Sequence, residues 1–123
     1  MPILEVTVVL KENEALPEGL AAAIADAASS VFGSATGRTW VRLNTLSAAD
    51  YAEDGGGPRE GVSPVFVSIL KAEIGDEQEL RREAENLTEA IAASVRRPAE
   101  NVHLIYGAPG MGRISFGGRL VTE

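Results

Sequence analysis

The sequence predicts an α+β fold: a tandem β-α-β repeat (β-α-β-β-α-β) forming one four-stranded sheet with two helices on one face, followed by a short C-terminal hairpin. Three observations predict it. Apolar residues alternate with period two, then recur at helical spacing, and the chain runs through that order twice. The two passes align with a one-residue difference in length, since Pro2 falls 62 residues before Pro64 and Arg42 falls 61 before His103, with "VRL" at 41–43 matching "VHL" at 102–104. The end, "APGMGRISFGG", is rich in glycine and reads as a turn with a short hairpin.

The elements follow in order. Ile3 to Leu10 is a strand with Leu4, Val6, Val8 and Leu10 on one face and Ile3, Glu5 and Thr7 on the other. "ALPEGLAAAIADAASSVFG" is a helix with Pro17 in its first turn, an apolar stripe of Leu20, Ile24, Ala27 and Val31, and Gly33 just past its end. "RTWVRLNT" is the second strand, which places Arg38, Trp40, Arg42 and Asn44 on one face. A glycine- and proline-marked loop, "SAADYAEDGGGPREGVSP", separates the halves. "PVFVSILKAEI" is the third strand. "GDEQELRREAENLTEAIAASVRR" is the second helix, acidic at its start and basic at its end, with Leu80, Ala84, Leu87, Ile91 and Val95 as its buried stripe and Pro98 as its stop. "NVHLIYG" is the fourth strand. Each crossover joins parallel strands and is right-handed. The second face of the sheet finds no cover within the chain, so self-association is expected.

A length of 123 residues suits one domain, 1–123, with repeat units at about 2–46 and 64–106. No apolar run approaches the roughly 18 residues of a membrane helix, and no secretory pattern opens the chain, so a cytoplasmic protein is expected. Without cysteine there is neither disulfide nor thiolate ligand, and a single histidine leaves little material for zinc. A net charge of −7 argues against nucleic acid and anionic membranes as partners. A small anionic substrate then needs a local cationic pocket. "GAPGMG" lacks the Lys-Ser/Thr of a phosphate loop, and the "NLT" sequon lies inside the second helix.

Pro2 raises the chemical question. Proline is tolerated at the first residue of a strand for purely structural reasons, since no ladder bond is lost there. Removal of Met1, the usual fate of Met before Pro, would instead expose a secondary amine. An α-amine titrates near about 8, and burial beside cations lowers that value, which makes it a competent general base near neutrality.

The segments "MPI" at the start of a strand, "SATGRTWVRL" after the first helix and "RRPAENVHLIYGAPGMGRISFGGRL" after the second resemble the tautomerase superfamily over nearly the whole chain. The likeness is to 4-oxalocrotonate tautomerase in each half, and to macrophage migration inhibitory factor and 5-carboxymethyl-2-hydroxymuconate isomerase in length. The resemblance implies a β-α-β-β-α-β fold, homotrimers with sites between subunits, no cofactor, and catalysis by an amino-terminal proline. It makes Pro2 the catalytic base and Arg42 its partner. Arg42 matches a substrate-binding arginine, and a guanidinium is suited to clamp a carboxylate and polarise a carbonyl. An arginine on a solvated strand face would need no such role.

Four further residues are candidate substrate contacts. Arg38 is a second cation on the strand of Arg42. Lys71 closes the third strand, where relatives carry a cation or a backbone donor; a strand-end lysine also discourages edge pairing. His103 falls where the macrophage factor has its active-site tyrosine, and Tyr106 on the same strand either donates a proton or packs. Met111, Ile114 and Phe116 read as an apolar wall or as interface core.

The expected function is a cofactor-independent tautomerase that isomerises an enol or a double bond in a small 2-oxo acid, with no metal. Alternatives on the same scaffold are a dehalogenase, a decarboxylase or a non-catalytic binding protein of the macrophage-factor type. Against the dehalogenase, whose relatives activate water with a C-terminal acid, residues 101–122 contain no Asp or Glu.

Overall fold

The alternation of the first strand is realised in β1 (Ile3–Val9), where Leu4, Val6 and Val8 are fully buried while Glu5 is exposed and Ile3 and Thr7 are half-buried. In this computed structural model, which describes residues 2–122, the chain continues through α1 (Leu20–Phe32), β2 (Trp40–Leu46), β3 (Val65–Leu70), α2 (Glu77–Val95) and β4 (Val102–Tyr106). It ends in a hairpin, β5 (Ser115–Phe116) and β6 (Arg119–Leu120). The sheet order is β2-β1-β3-β4. β1 and β2 are parallel, as are β3 and β4, and the two β-α-β units meet where β1 runs antiparallel to β3.

The core lies on one side of the sheet. Leu4, Val6 and Val8 join Val65, Val67 and Ile69 beneath Leu20, Ile24 and Ala28 of α1 and Leu87, Ile91 and Val95 of α2. The opposite face exposes Glu5, Trp40, Arg42, Asn44, Ser68, His103 and Ile105. β2 and β4 are edge strands, and each has its outward face on this open side.

Four details of the helices differ from the sequence reading, the first being that Leu80 and Ala84 of the expected α2 stripe are only half-buried, because they border an open groove beside β4. Pro17 lies outside α1, which begins at Leu20 behind Gly19; Gly19 has φ of 81°, a conformation that ends any helical run entering from Pro17. The α1 stripe buries Ala28 and only partly buries Ala27. The basic residues expected in the last turn of α2 fall beyond it. Arg96 is the cap, left-handed at φ 56°, and turns the chain so that Arg97 points inward.

Arg97 is buried, with its side chain 3% exposed. Its guanidinium grips Glu14 with two nitrogens, Nη2 to Oε1 at 2.8 Å and Nη1 to Oε2 at 3.1 Å. It also donates to the carbonyls of Ser63, Val95 and Val9 at 3.2, 3.4 and 3.4 Å. One side chain thereby joins the β1–α1 loop, the entry to β3 and the end of α2.

The glycine-rich tail is a belt across the opposite end of the sheet. Gly107 N–H bonds to the Ile69 carbonyl at 2.9 Å, Gly110 N–H to that of Lys71 at 2.8 Å, and Met111 N–H to that of Ala72 at 3.0 Å. A two-residue turn at Gly117 and Gly118, with φ of 58° and 91°, then closes the hairpin, as glycine readily permits. Phe116 meets Trp40 of β2 edge to face, with centroids 5.3 Å apart. The belt is tightly fitted. A Cβ on Gly110 would lie 2.6 Å from Ile114 Cγ1 and 3.4 Å from the Lys71 carbonyl oxygen. Because Ile114 is itself buried, Gly110→Ala is expected to cost about 1–3 kcal/mol, as overpacking does, read as a lower midpoint in chemical denaturation. An unchanged midpoint would mean that the tail is loosely held.

Candidate active site at the Pro2 end of the sheet

Pro2 is buried at the head of β1, and its carbonyl accepts the Trp40 N–H at 3.0 Å. With that carbonyl turned to β2, Pro2 faces β3 as a pair without ladder bonds, the arrangement that brings cross-strand side chains closest. Ile3 is opposite Leu70, so Pro2 comes opposite Lys71. By strand parity both lie on the helix side, two residues beyond the buried pair Leu4 and Ile69.

Lys71 lies one residue past the end of β3 and turns back toward the helices. Its Nζ meets Glu83 Oε1 of α2 at 2.6 Å, with the two side chains only 22% and 17% exposed. The ammonium also sits over the Phe32 ring, 5.2 Å from its centroid. Tyr106, opposite Ile69 on β4, donates its hydroxyl to the other oxygen of Glu83 at 2.9 Å. Burial, then that hydrogen bond and the carboxylate charge, push the Tyr106 hydroxyl well above the usual range. At neutral pH it is therefore a donor already committed to Glu83.

Arg42 and His103 occupy the other face. Arg42 Nη2 contacts Glu5 Oε1 at 3.2 Å, with side chains 70% and 47% exposed, and Asn44 shares the same oxygen at 3.4 Å. So exposed a pair contributes little to stability and is readily exchanged for another carboxylate. Arg42 lines a cavity of about 290 Å³ with Ile3, Glu5, Ser68, Leu70 and Ile105. His103 packs against Phe66, ring centroids 5.4 Å apart, and Phe66 against Tyr51 at 5.7 Å. Phe66 in turn lies opposite Thr7, five residues along β1 from Pro2. That is about 17 Å at the rise of a strand.

Arg38 is exposed in the turn before β2, at the Pro2 end, and so lies outside the strand on which it was expected. A groove of about 540 Å³ between α2 and the edge of β4 is lined by Leu80, Arg81, Ala84, His103 and Tyr106, among others. Within one chain, then, Pro2, Lys71 and Tyr106 gather on the helix side, while Arg42 and His103 point the opposite way.

Glu83 was not singled out from the sequence. Its signal is a carboxylate on the flank of the Leu80–Ala84–Leu87 stripe. It is lost among the other acids of α2, Glu77, Glu79, Glu85 and Glu89, which are exposed.

No family model and no curated protein matches the sequence. Solved structures do match. Native fused 4-OT has 21% identity and a TM-score of 0.72, covering 97% of this chain and 95% of that one. The protein Pt0534, solved after inactivation by 2-oxo-3-pentynoate, has 14% identity and a TM-score of 0.74, covering 97% and 94%. Macrophage migration inhibitory factor from Trichinella spiralis has 12% identity and a TM-score of 0.71, covering 96% and 98%. A malonate semialdehyde decarboxylase and a member of the cis-3-chloroacrylic acid dehalogenase family share the same architecture. Sheet order, paired β-α-β units and closing hairpin together give this chain the fold of the tautomerase superfamily.

Proposed function

We propose that the chain is a cofactor-independent tautomerase acting on a small 2-oxo acid or its enol, with Pro2 as general base once Met1 is removed; Met1 itself lies outside the described residues. The observation that carries this reading is the placement of Pro2: buried, anchored to β2 through its carbonyl, and opposite a cation at the head of the first strand of this fold. Burial favours a neutral amine, and so does any net positive charge left beside it. That amine takes a proton from the enol hydroxyl, or from the carbon next to the carbonyl, and returns it to another carbon.

Arg42 binds the substrate carboxylate and the charge that develops on the enolate. Since Arg42 and His103 face away from Pro2 in their own chain, they serve the Pro2 of a neighbouring copy, which makes the active form a homotrimer. A relative, fused 4-OT, is a symmetric trimer. Light scattering is expected to give three chains, and a monomer at assay concentration would remove the shared site.

Two experiments test the activity. The first is incubation with 2-oxo-3-pentynoate, whose alkyne beside a carbonyl is open to attack by an amine. Mass spectrometry should find one adduct, on a peptide beginning at Pro2, together with loss of phenylenolpyruvate ketonisation. No adduct, or an adduct elsewhere, in a protein without ketonisation would end the proposal. The second is Arg42→Ala. It should leave the fold intact and lower kcat/KM by about 2–4 kcal/mol, the scale of losing one oriented charge donor. Arg42→Lys should restore this only in part, because an ammonium lacks the planar fork. If Arg42→Ala slowed substrates with and without a carboxylate equally, or unfolded the protein, Arg42 would be structural.

The same fold serves dehalogenation, decarboxylation and non-catalytic binding in other proteins. Residues 101–122 offer no carboxylate to activate water, which favours proton transfer over hydration.

A further inference from the structure

We propose that Glu83 is a positioning residue of this site: by pairing with Lys71 it sets the net charge opposite Pro2, and so the proton affinity of the Pro2 amine. The inference rests on the reading of Pro2 as a base, and concerns what tunes it.

The geometry is specific. The Glu83 carboxylate uses both oxygens, one for Lys71 at 2.6 Å and one for the Tyr106 hydroxyl at 2.9 Å. The Phe32 ring backs the ammonium from α1. Each partner comes from a different element, and the cluster is mostly withdrawn from water, where charges act over several ångströms with little screening. One step beyond the Ile3–Leu70 pair, the β1–β3 register carries Lys71 across from Pro2. Alone, its charge would drive the amine strongly toward the neutral form. Paired with Glu83, it is nearly balanced.

The chain between β3 and α2 brings the exposed Glu73 and Asp76 to this end, and Asp76 caps α2 by accepting from the Glu79 N–H. The segment before β2 brings the buried Thr39 and the half-buried Ser34, which bond to each other and carry no charge, and the exposed Arg38. From the first turn of α2, Glu79 turns its carboxylate toward Gly75. In the tail, Arg113 is turned onto the carbonyl of Pro109 at 2.8 Å. Among the described residues, Glu83 is the carboxylate in ion-pair contact with Lys71.

The rate of alkylation by 2-oxo-3-pentynoate, followed against pH, reads the amine directly, since only the unprotonated form reacts. Glu83→Gln leaves Lys71 charged and unpaired, and should move the rising limb to lower pH by about one unit, the order expected when one nearby charge in a partly buried site loses its partner. Lys71→Met leaves the carboxylate unpaired and should move the limb to higher pH by a similar amount. Lys71→Arg should keep it near the wild-type position. The double variant Glu83→Gln/Lys71→Met should also return close to wild type, and it removes both charges, so it tests the idea even if one single variant folds poorly. The idea is overturned if the limb stays in place in the single variants, or if both move it in the same direction. Wild-type protein that forms no adduct at Pro2 instead overturns the base itself, so the two failures are distinguishable.

Discussion

Pro2→Ala is expected to slow phenylenolpyruvate ketonisation at least about a hundredfold, the lower end of what a positioned general base contributes. The loss should be incomplete. After removal of Met1 an alanine still presents a primary amine at the head of β1, held by the same carbonyl bond to Trp40 N–H. What changes is basicity and placement: the ring is gone, and with it the fixed φ that aims the nitrogen. Little stability should be lost, because the position is the first of a strand and only a few carbon atoms leave the helix-side core. A denaturation midpoint close to wild type, together with a collapsed rate, would isolate the chemical role. A rate within a factor of two of wild type would show that the reaction does not pass through this amine.

Arg97→Ala should be the most damaging single change to the fold, costing about 3–5 kcal/mol, as breaking a buried ion pair from one side does. The substitution strips donors from both oxygens of Glu14 and from the carbonyls of Ser63, Val9 and Val95, and leaves a cavity where the guanidinium lay. Part of the effect should depend on pH. Burial pushes the Glu14 carboxyl up, but hydrogen bonds from Arg97 and from the Lys11 backbone, with the charges of Arg97 and Lys11, outweigh it and hold the carboxyl below its ordinary value. A carboxylate lowered in the folded state adds stability that is fully present above its ordinary pKa and fades as pH falls through the lowered one. The gap between wild type and Arg97→Ala in urea, measured at equal protomer concentration, should therefore be widest near neutrality and shrink in acid. A gap below about 1 kcal/mol at pH 7 would mean that the loop and strand ends hold together without the clamp.

The elements and their order are written in local periodicity. Leu4, Val6 and Val8, like Val65, Val67 and Ile69, alternate because a half-covered sheet demands it. The stripes of α1 and α2 recur because each helix must bury one side. These are local periodicities, and no tertiary contact is needed to read them. Pro2, Lys71 and Tyr106 were named as candidates on side-chain chemistry and the family resemblance, and periodicity set only where on the strands they fall. Helix termini were less legible. Pro17 and the Arg96–Arg97 pair look like helix ends in any window, but the backbone leaves the helix at Gly19 and Arg96, and Arg97 finds its partner 83 residues away in Glu14. Which candidates meet depends on how the strands pair and where the helices cross them. Antiparallel pairing of β1 with β3 sets Lys71 opposite Pro2, while the parallel register of β1 with β2 sets Arg42 beside Glu5. The alternation of β2 already assigns Val41 and Leu43 to the covered face and Arg42 to the open one, since a one-residue slip would turn the apolar set to water; what pairing adds is which residues stand opposite each other. Glu83 was hidden for a related reason: among the acids of α2, its burial and its two partners arise only where the helix crosses β3 and β4.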